Sequence, residues 1–194
     1  MPTQPRPARG ARERLLSAAL DLFAQHGVSG TSLQMIADQL GVTKAAVYHQ
    51  FQTKEDIVLA VIAPAMTQLG VVVAQAEARP NPASRRDAML SGLVDLVVDH
   101  RRLAAVIQAD PAVSHLMRQP PALGALGERI DLLLTGPDPD DETLVNAAMM
   151  GGGLMIAGVD PHLQGMSDDT LRRHLLSTAR RILRLKAPAP RGTA

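Results

Sequence analysis

The sequence predicts an all-α fold, with a helix-turn-helix domain at the N-terminal end and an antiparallel helical bundle after it. Nearly every segment repeats its apolar residues at intervals of three and four positions, which is the spacing of one helical face. Glycines, prolines and capping residues separate these segments from each other. No run alternates apolar and polar residues, as a strand buried on one side would.

Three short helices are predicted within the first 50 residues. The first covers residues 12–26 and ends at Gly27. A Thr-Ser pair caps the second, which ends at Gly41, and Thr43 caps the third. The face of the first helix that is expected to be buried consists of Leu16, Ala19, Leu20 and Phe23.

Longer helices are predicted in the rest of the chain. The fourth starts after Thr53 and contains Pro64, where a kink is expected because proline removes a helical hydrogen bond. Asn81 and Pro82 form the cap and the first position of the next helix. The predicted organisation is a disordered arm at 1–11, a helix-turn-helix domain at 12–55, a bundle domain at 56–186 and a disordered tail at 187–194.

The composition is that of a soluble globular protein without cysteine chemistry. Of the 194 residues, 46% are hydrophobic, 20% are charged and none is cysteine. This excludes disulfides, thiolate zinc sites and cysteine nucleophiles. The longest uncharged run in the second half, residues 144–159, is shorter than the roughly 20 residues that a membrane span requires. We therefore expect a cytoplasmic protein that has no membrane partner.

Residues 32–50 have the layout of a helix-turn-helix, with the turn at residues 40–42. Ala37 is small where the two helices approach each other, and Gly41 permits the positive φ that the turn requires. Four side chains are expected to seal the unit onto the first helix: Ile36, Leu40, Val42 and Val47. Other side chains of the third helix and its cap are expected to face outward, and a helix of this kind fits a major groove about 12 Å wide. They are Thr43, Lys44, Ala45, Tyr48 and His49.

The run from Gly30 to Asp56, GTSLQMIADQLGVTKAAVYHQFQTKED, resembles the TetR family of bacterial transcriptional regulators. The resemblance extends over about residues 12–62. Its elements, Thr-Ser, Ile-Ala, Leu-Gly-Val, Val-Tyr-His-Gln-Phe and Thr-Lys-Glu, fall in the family's order and spacing. One departure is Gln50, which replaces the histidine most common before the phenylalanine, and we expect little effect from it.

The resemblance implies that the domain binds double-stranded DNA. Phosphate contacts are implied for Thr31, Ser32, Thr43 and Lys54, base contacts for Lys44 and Ala45, and a contact to a base or the backbone for Gln34, Tyr48 and His49. The alternatives are that Tyr48 is a core aromatic, that Lys44 and Lys54 are solvated charges, and that the motif binds protein. Arg6 and Arg9 either reach a minor groove or belong to a plain disordered terminus.

The resemblance also implies a small-molecule pocket in the bundle domain. This region has no aromatic residue but contains seven of the nine methionines, which adapt to varied apolar shapes. An apolar ligand is therefore expected. The alternative for each predicted lining residue is an ordinary place in the core. The predicted set is Leu93, Val97, Ile107, Gln108, His115, Met117, Leu126, Ile130, Asn146 and Met149.

Small residues in the segment 141–158 predict a dimer interface. Three consecutive glycines begin at Gly151, although each costs about 1 kcal/mol relative to alanine inside a helix. The family's last two helices pack against those of a second copy, which would explain them. The alternatives are a break in the helix and close packing within one subunit. The predicted interface residues are Ala147, Gly151, Gly152, Met155, Leu171, Leu175 and Ile182.

These predictions combine into a homodimeric, ligand-responsive repressor on a palindromic operator. The closest alternatives are a transcriptional activator and a ligand-independent DNA-binding protein. A helical carrier or enzyme with a vestigial helix-turn-helix belongs to another class. The six histidines lack the spacing of metal ligands, and no nucleophile–base arrangement is legible, so neither a cofactor nor catalysis is predicted.

Overall fold

The structure, a computed structural model, describes residues 9–110, 113, 116 and 121–185, and every regular element among them is helical. This confirms the all-α prediction. The predictions for residues 1–8 of the arm and for the tail at 187–194 concern residues outside the described part of the chain. The helices are α1 Arg9–Gly30, α2 Leu33–Leu40, α3 Lys44–Gln50, α4 Lys54–Glu77, α5 Pro82–Asp99, α6 Arg101–Ala109, α7 Pro121–Thr135, α8 Asp141–Val159 and α9 Asp168–Ile182, with a 3-10 turn at Pro161–Leu163.

The chain forms two compact units, and their bounds differ from the predicted division at residue 55. Unit 1 consists of Met1–Met66 and Arg102–Pro121, and unit 2 of Thr67–Arg101 and Ala122–Ala194. Unit 1 therefore includes the first half of α4 and nearly all of α6. The sequence did not predict α6 as a separate helix, because neither a proline nor a strong capping residue separates it from α5.

Unit 1 is built around one face of α1. Gly27 has φ +70° and ψ 165°, so the helical path is interrupted where the sequence predicted its end. The buried face is shifted from the predicted one, since Leu16 and Leu20 are only half-buried. The predicted face and the observed face both have helical spacing. Which of them is buried depends on how α1 packs against the other helices of unit 1. The buried residues of α1 are Leu15, Ala18, Ala19, Leu22, Phe23 and Val28.

Unit 2 buries an aliphatic core between the second half of α4 and helices α5, α7, α8 and α9. Met89 and Met150 lie inside it, as expected for side chains that fill irregular space. Arg180 of α9 donates two hydrogen bonds to Asp87 of α5, at 2.8 and 3.1 Å. The core residues are Val73, Ala76, Met89, Leu90, Val94, Val97, Leu134, Met150, Leu154, Ala179 and Leu183.

Capping residues define where the helices of unit 2 begin. Asn81 forms a capping box with Ser84 at the start of α5, and Pro82 follows as predicted. Asp140 accepts a hydrogen bond from the amide of Thr143 at the start of α8. Hydrogen bonds from the side chain and amide of Thr143 lower the pKa of the Asp140 carboxyl from its usual value, because they favour its ionised form.

Two helices, α4 and α8, are long and apolar enough to cross a membrane by length and composition alone. Core helices of soluble proteins have the same property. In unit 2, α4 contributes Val73 and Ala76 to the core, and α8 contributes Met150 and Leu154. Helix α4 also continues without a break through Pro64. Both helices therefore contribute side chains to the core of unit 2.

A close approach between α4 and α5 gives a test of the packing in unit 2. A Cβ atom added at Gly92 would lie 2.2 Å from Cγ1 of Val72. We expect Gly92→Ala to lower the free energy of unfolding by about 1–3 kcal/mol, because the stiff valine must move. Urea denaturation at a fixed protein concentration measures the change.

The matched control is Gly70→Ala on α4, where an added Cβ meets nothing within 4 Å. This change should leave stability equal or raise it by up to about 1 kcal/mol, because alanine favours a helix interior. If the two variants unfold at the same urea concentration, the close contact at Gly92 is wrong.

Candidate DNA-binding interface and ligand cavity

Helix α3 has one buried side chain, Val47, which is 0% exposed. Thr43 caps the helix by accepting a hydrogen bond from the amide of Ala46 at 3.2 Å. Every other residue of α3 is exposed, including the predicted contacts Lys44, Ala45, Tyr48 and His49. The structure thus brings these side chains and Thr43 together on one outward surface.

Tyr48 is not a core aromatic, because 46% of it is exposed. The ammonium of Lys44 lies 5.6 Å from the centroid of its ring, one helical turn away. A cation over an aromatic face is attracted by the ring quadrupole. The two side chains therefore restrict each other's conformations on the outer face of α3.

The turn between α2 and α3 has the predicted backbone but one misjudged side chain. Gly41 has φ +65°, and its amide bonds to the carbonyls of Ala37 and Asp38. Ile36 is fully buried, as expected, and Leu40 is half-buried. Val42 does not seal the unit, because it is 43% exposed. It borders a groove that Leu15 of α1 and Leu40 of α2 also line.

Of the two phosphate contacts predicted at the start of α2, Ser32 is exposed and Thr31 is buried. Ser32 is exposed and accepts a hydrogen bond from the amide of Met35 at 3.2 Å. Thr31 is only 2% exposed, and its hydroxyl donates to the carbonyl of Gly27 at 2.8 Å. The structure therefore places Thr31 inside unit 1. Gln34 is exposed and donates to Asp38 at 2.7 Å.

Lys54 connects the start of α4 to the end of α1. Its ammonium donates hydrogen bonds to the carbonyls of Val28 and Thr31, at 2.7 and 3.1 Å. The side chain is half-buried, so it is not merely a solvated charge. An ammonium has three donors, which leaves one for a further acceptor. No sequence pattern indicated these carbonyl contacts, because they join residues more than 20 positions apart.

In unit 2, a cavity of about 440 Å³ lies between α5, α7 and α8. Of the residues predicted to bind a ligand, Leu93, Val97 and Ile130 line it. Aliphatic side chains form most of its wall, and Asp131 and Thr135 of α7 contribute polar groups. The cavity is therefore apolar, as the absence of aromatic residues and the presence of methionines predicted.

The other predicted ligand residues that the structure describes do not line this cavity. Ile107 and Gln108 belong to α6 in unit 1. Leu126 packs against the core, and Asn146 lines a smaller polar groove. Met149 is 64% exposed. The predictions for His115 and Met117 lie outside the described residues.

Helix α8 is continuous through its glycines, so they do not break it. A Cβ added at Gly151, Gly152 or Gly153 would meet nothing within 4 Å, and packing within one subunit therefore does not require glycine there. The strongly exposed apolar residues of this helix are Leu144, Val145, Met149 and Ile156.

The predicted dimer residues are distributed over three environments. Ala147, Gly151 and Met155 line the 440 Å³ cavity. Leu171, Leu175 and Ile182 line an apolar groove of about 230 Å³ between α8 and α9, with Leu171 only 2% exposed. Gly152 alone of the set lies fully on the exposed side of α8.

The hydrogen bonds of Lys54 give a stability test within unit 1. We expect Lys54→Met to lower the free energy of unfolding by about 1–3 kcal/mol, because two carbonyls lose their donor. The matched control is Lys44→Met, whose effect should be within about 0.5 kcal/mol because Lys44 is exposed. Equal denaturation midpoints for the two variants would contradict the contacts of Lys54.

Comparisons with known proteins agree with this geometry and confirm the resemblance. Residues 15–61 match the sequence model of a family described as "Bacterial regulatory proteins, tetR family". The HTH-type transcriptional regulator AcrR of Shigella flexneri is 34% identical over 98 residues, which are 49% of this chain and 46% of that protein. The chain spans about half of the length of the curated relatives it matches, or less.

Solved structures share the fold over nearly the whole chain. The ketosteroid transcriptional regulator KstR2 of Mycobacterium tuberculosis has a TM-score of 0.70 at 17% identity, covering 93% of this chain and 98% of that one. The transcriptional regulator FadR of Bacillus subtilis, in complex with stearoyl-CoA, has a TM-score of 0.61 at 15% identity, covering 89% and 96%. At these identities the likeness concerns the fold.

Proposed function

We propose, on the premise that residues 15–61 belong to the tetR family of bacterial regulatory proteins, that this chain is a dimeric transcriptional repressor. A small, largely apolar ligand releases it from a palindromic DNA operator. The observation that supports this most directly is α3, on which every side chain except the buried Val47 is exposed. The protein acts in the cytoplasm and catalyses no reaction.

The exposed face of α3 enters the major groove, which is about 12 Å wide. Lys44 and Ala45 contact base edges, and Tyr48 and His49 contact bases or backbone. Ser32 and Thr43, at the starts of α2 and α3, contact phosphates through exposed hydroxyls. Two copies of α3 about 34–36 Å apart would reach successive grooves of a palindromic site.

Dimerisation takes place on α8 and α9. Helix α8 presents exposed Val145, Met149 and Ile156, with Gly152 between them, and three consecutive glycines that its own subunit does not require. The apolar groove between α8 and α9 continues this surface. A two-fold pairing of such helices buries the same patch on both subunits.

The ligand occupies the 440 Å³ cavity, whose volume falls within the range of about 300–1,000 Å³ that is usual for small-molecule sites. FadR, which shares the fold, was solved with stearoyl-CoA, an apolar chain on a polar head. In this chain Met150 and Met155 give the wall a pliable surface. Asp131 and Thr135 orient a polar group of the ligand.

DNA binding is tested by fluorescence anisotropy on DNA that flanks the protein's own gene and on DNA selected from a random library. We expect specific binding, and Lys44→Ala should weaken it by about tenfold or more while relaxing base preference. Salt-sensitive binding without any preferred sequence would contradict the proposal. The Lys44→Met variant serves as a check that stability is unchanged.

The salt dependence of the same assay tests the phosphate contact of Lys54. Lys54→Ala should weaken binding to all sequences and lower the slope of log K against log salt by about one. An unchanged slope with weaker binding at every salt concentration would mean that Lys54 acts only through the carbonyls of Val28 and Thr31.

The dimer surface is tested by a pair of substitutions at similarly exposed valines. Val145 on α8 is 56% exposed and Val71 on α4 is 51% exposed. We expect Val145→Glu to give a monomer in sedimentation-velocity ultracentrifugation, because a charge is desolvated in an apolar interface. Val71→Glu should remain a dimer. Dimers from both variants would place the interface elsewhere.

A further inference from the structure

A buried carboxylate connects the end of α6 to the end of α1. Asp110 is only 7% exposed, and its Oδ2 accepts hydrogen bonds from both the amide and the hydroxyl of Ser29, at 3.0 Å each. Burial of a charge costs free energy unless hydrogen bonds compensate it. Ser29 follows Gly27, where the helical path of α1 is interrupted, so its amide benefits from an acceptor outside the helix.

The same short segment is held by a second charge. Residues 27–31 form the α1–α2 junction, and Lys54 binds the carbonyls of Val28 and Thr31 within it. The carboxylate of Asp110 thus accepts hydrogen bonds from donors of the junction, and the ammonium of Lys54 donates hydrogen bonds to its carbonyls. The next residue, Ser32, caps α2. The direction in which α2 and α3 leave α1 therefore depends on both contacts.

Helix α6 begins at the point where the chain passes from unit 2 to unit 1. Arg101 belongs to unit 2 and pairs with Asp168 there, at 2.8 Å. Arg102 belongs to unit 1 and pairs with Asp21 of α1, at 3.0 Å. Two consecutive arginines are thus held by different units, so a displacement of the chain at Arg101 passes covalently into α6.

We propose that Asp110 is a positioning residue for DNA binding, through which α6 holds the α1–α2 junction in the geometry that binds DNA. This inference rests on the proposed function. Because coupling between two equilibria is reciprocal, DNA binding must in turn stabilise α6. The DNA-bound protein therefore exchanges the amide hydrogens of residues 102–109 more slowly than the free protein. Asp110 contacts no DNA itself, so the salt slope does not depend on it.

The experiment combines DNA affinity with hydrogen exchange of residues 102–109 in the full chain. Asp110→Asn should weaken specific binding by about tenfold, as loss of a charged hydrogen-bond partner does. Its salt slope should remain unchanged, and DNA should no longer protect α6. Glu128→Gln is the matched control, an exposed carboxylate on α7 that does not line the 440 Å³ cavity and should leave both readouts as in the wild type.

Ser29→Ala is the milder variant, which retains the amide contact and serves if Asp110→Asn does not fold. It should weaken binding by about two- to fivefold, and its effect should not multiply with that of Asp110→Asn, because both act through one contact. A variant that only lowers thermal stability, with wild-type affinity and full protection of α6, overturns the inference. Wild-type protein that binds no preferred DNA overturns the proposed function first, and the inference with it.

Discussion

The outward surface of α3 depends on the burial of one side chain, Val47. A helix of seven residues is too short to be stable alone in water, so its orientation comes from packing and capping. Val47 is fully buried with Ile36 and Ala37 of α2 in the same unit, and Thr43 supplies the cap. With Val47 buried, His49 lies nearly opposite on the helix, and Lys44 and Tyr48 are likewise exposed. The chemistry of the surface therefore follows from an apolar contact.

Local features of this surface could be predicted from the sequence, whereas the choice between similar faces could not. Caps and positive-φ glycines act within a few residues, and the structure has Ser32, Gly41 and Thr43 in their predicted roles. The buried face of α1 was misjudged because leucines at neighbouring positions satisfy the same period. Thr31 was expected to be exposed, but its hydroxyl satisfies the carbonyl left by the break at Gly27. Which side chains are buried depends on the elements that pack against a helix, and the spacing of apolar residues contains no information about those elements.

The bundle illustrates the same limit more strongly, because α8 is apolar on nearly all sides. Ala147, Gly151 and Met155 form one stripe of small or flexible residues, and Val145, Met149 and Ile156 form another. Either stripe fits a helix that packs against a partner, and the sequence favoured the first. The structure turns the first stripe toward the cavity of unit 2 and leaves the second exposed. In the proposed function, ligand and dimer residues are therefore neighbours on one helix, and a ligand in the cavity would contact the side of α8 that lies behind the exposed surface.

In the proposed function, the covalent connections between the units limit the ways in which a ligand in unit 2 could change DNA binding. Along the chain, the two units are joined within α4 between Met66 and Thr67, at the start of α6 between Arg101 and Arg102, and at the start of α7 between Pro121 and Ala122. Each of the first two of these helices carries or precedes a charged residue that binds the α1–α2 junction: Lys54 lies at the start of α4, and Asp110 directly follows α6. Allosteric coupling is typically worth about 1–3 kcal/mol, which is comparable to one or two charged hydrogen bonds. A ligand that weakened these contacts would therefore change the free energy of DNA binding by enough to account for typical allosteric coupling. A large rearrangement of unit 1 is not required.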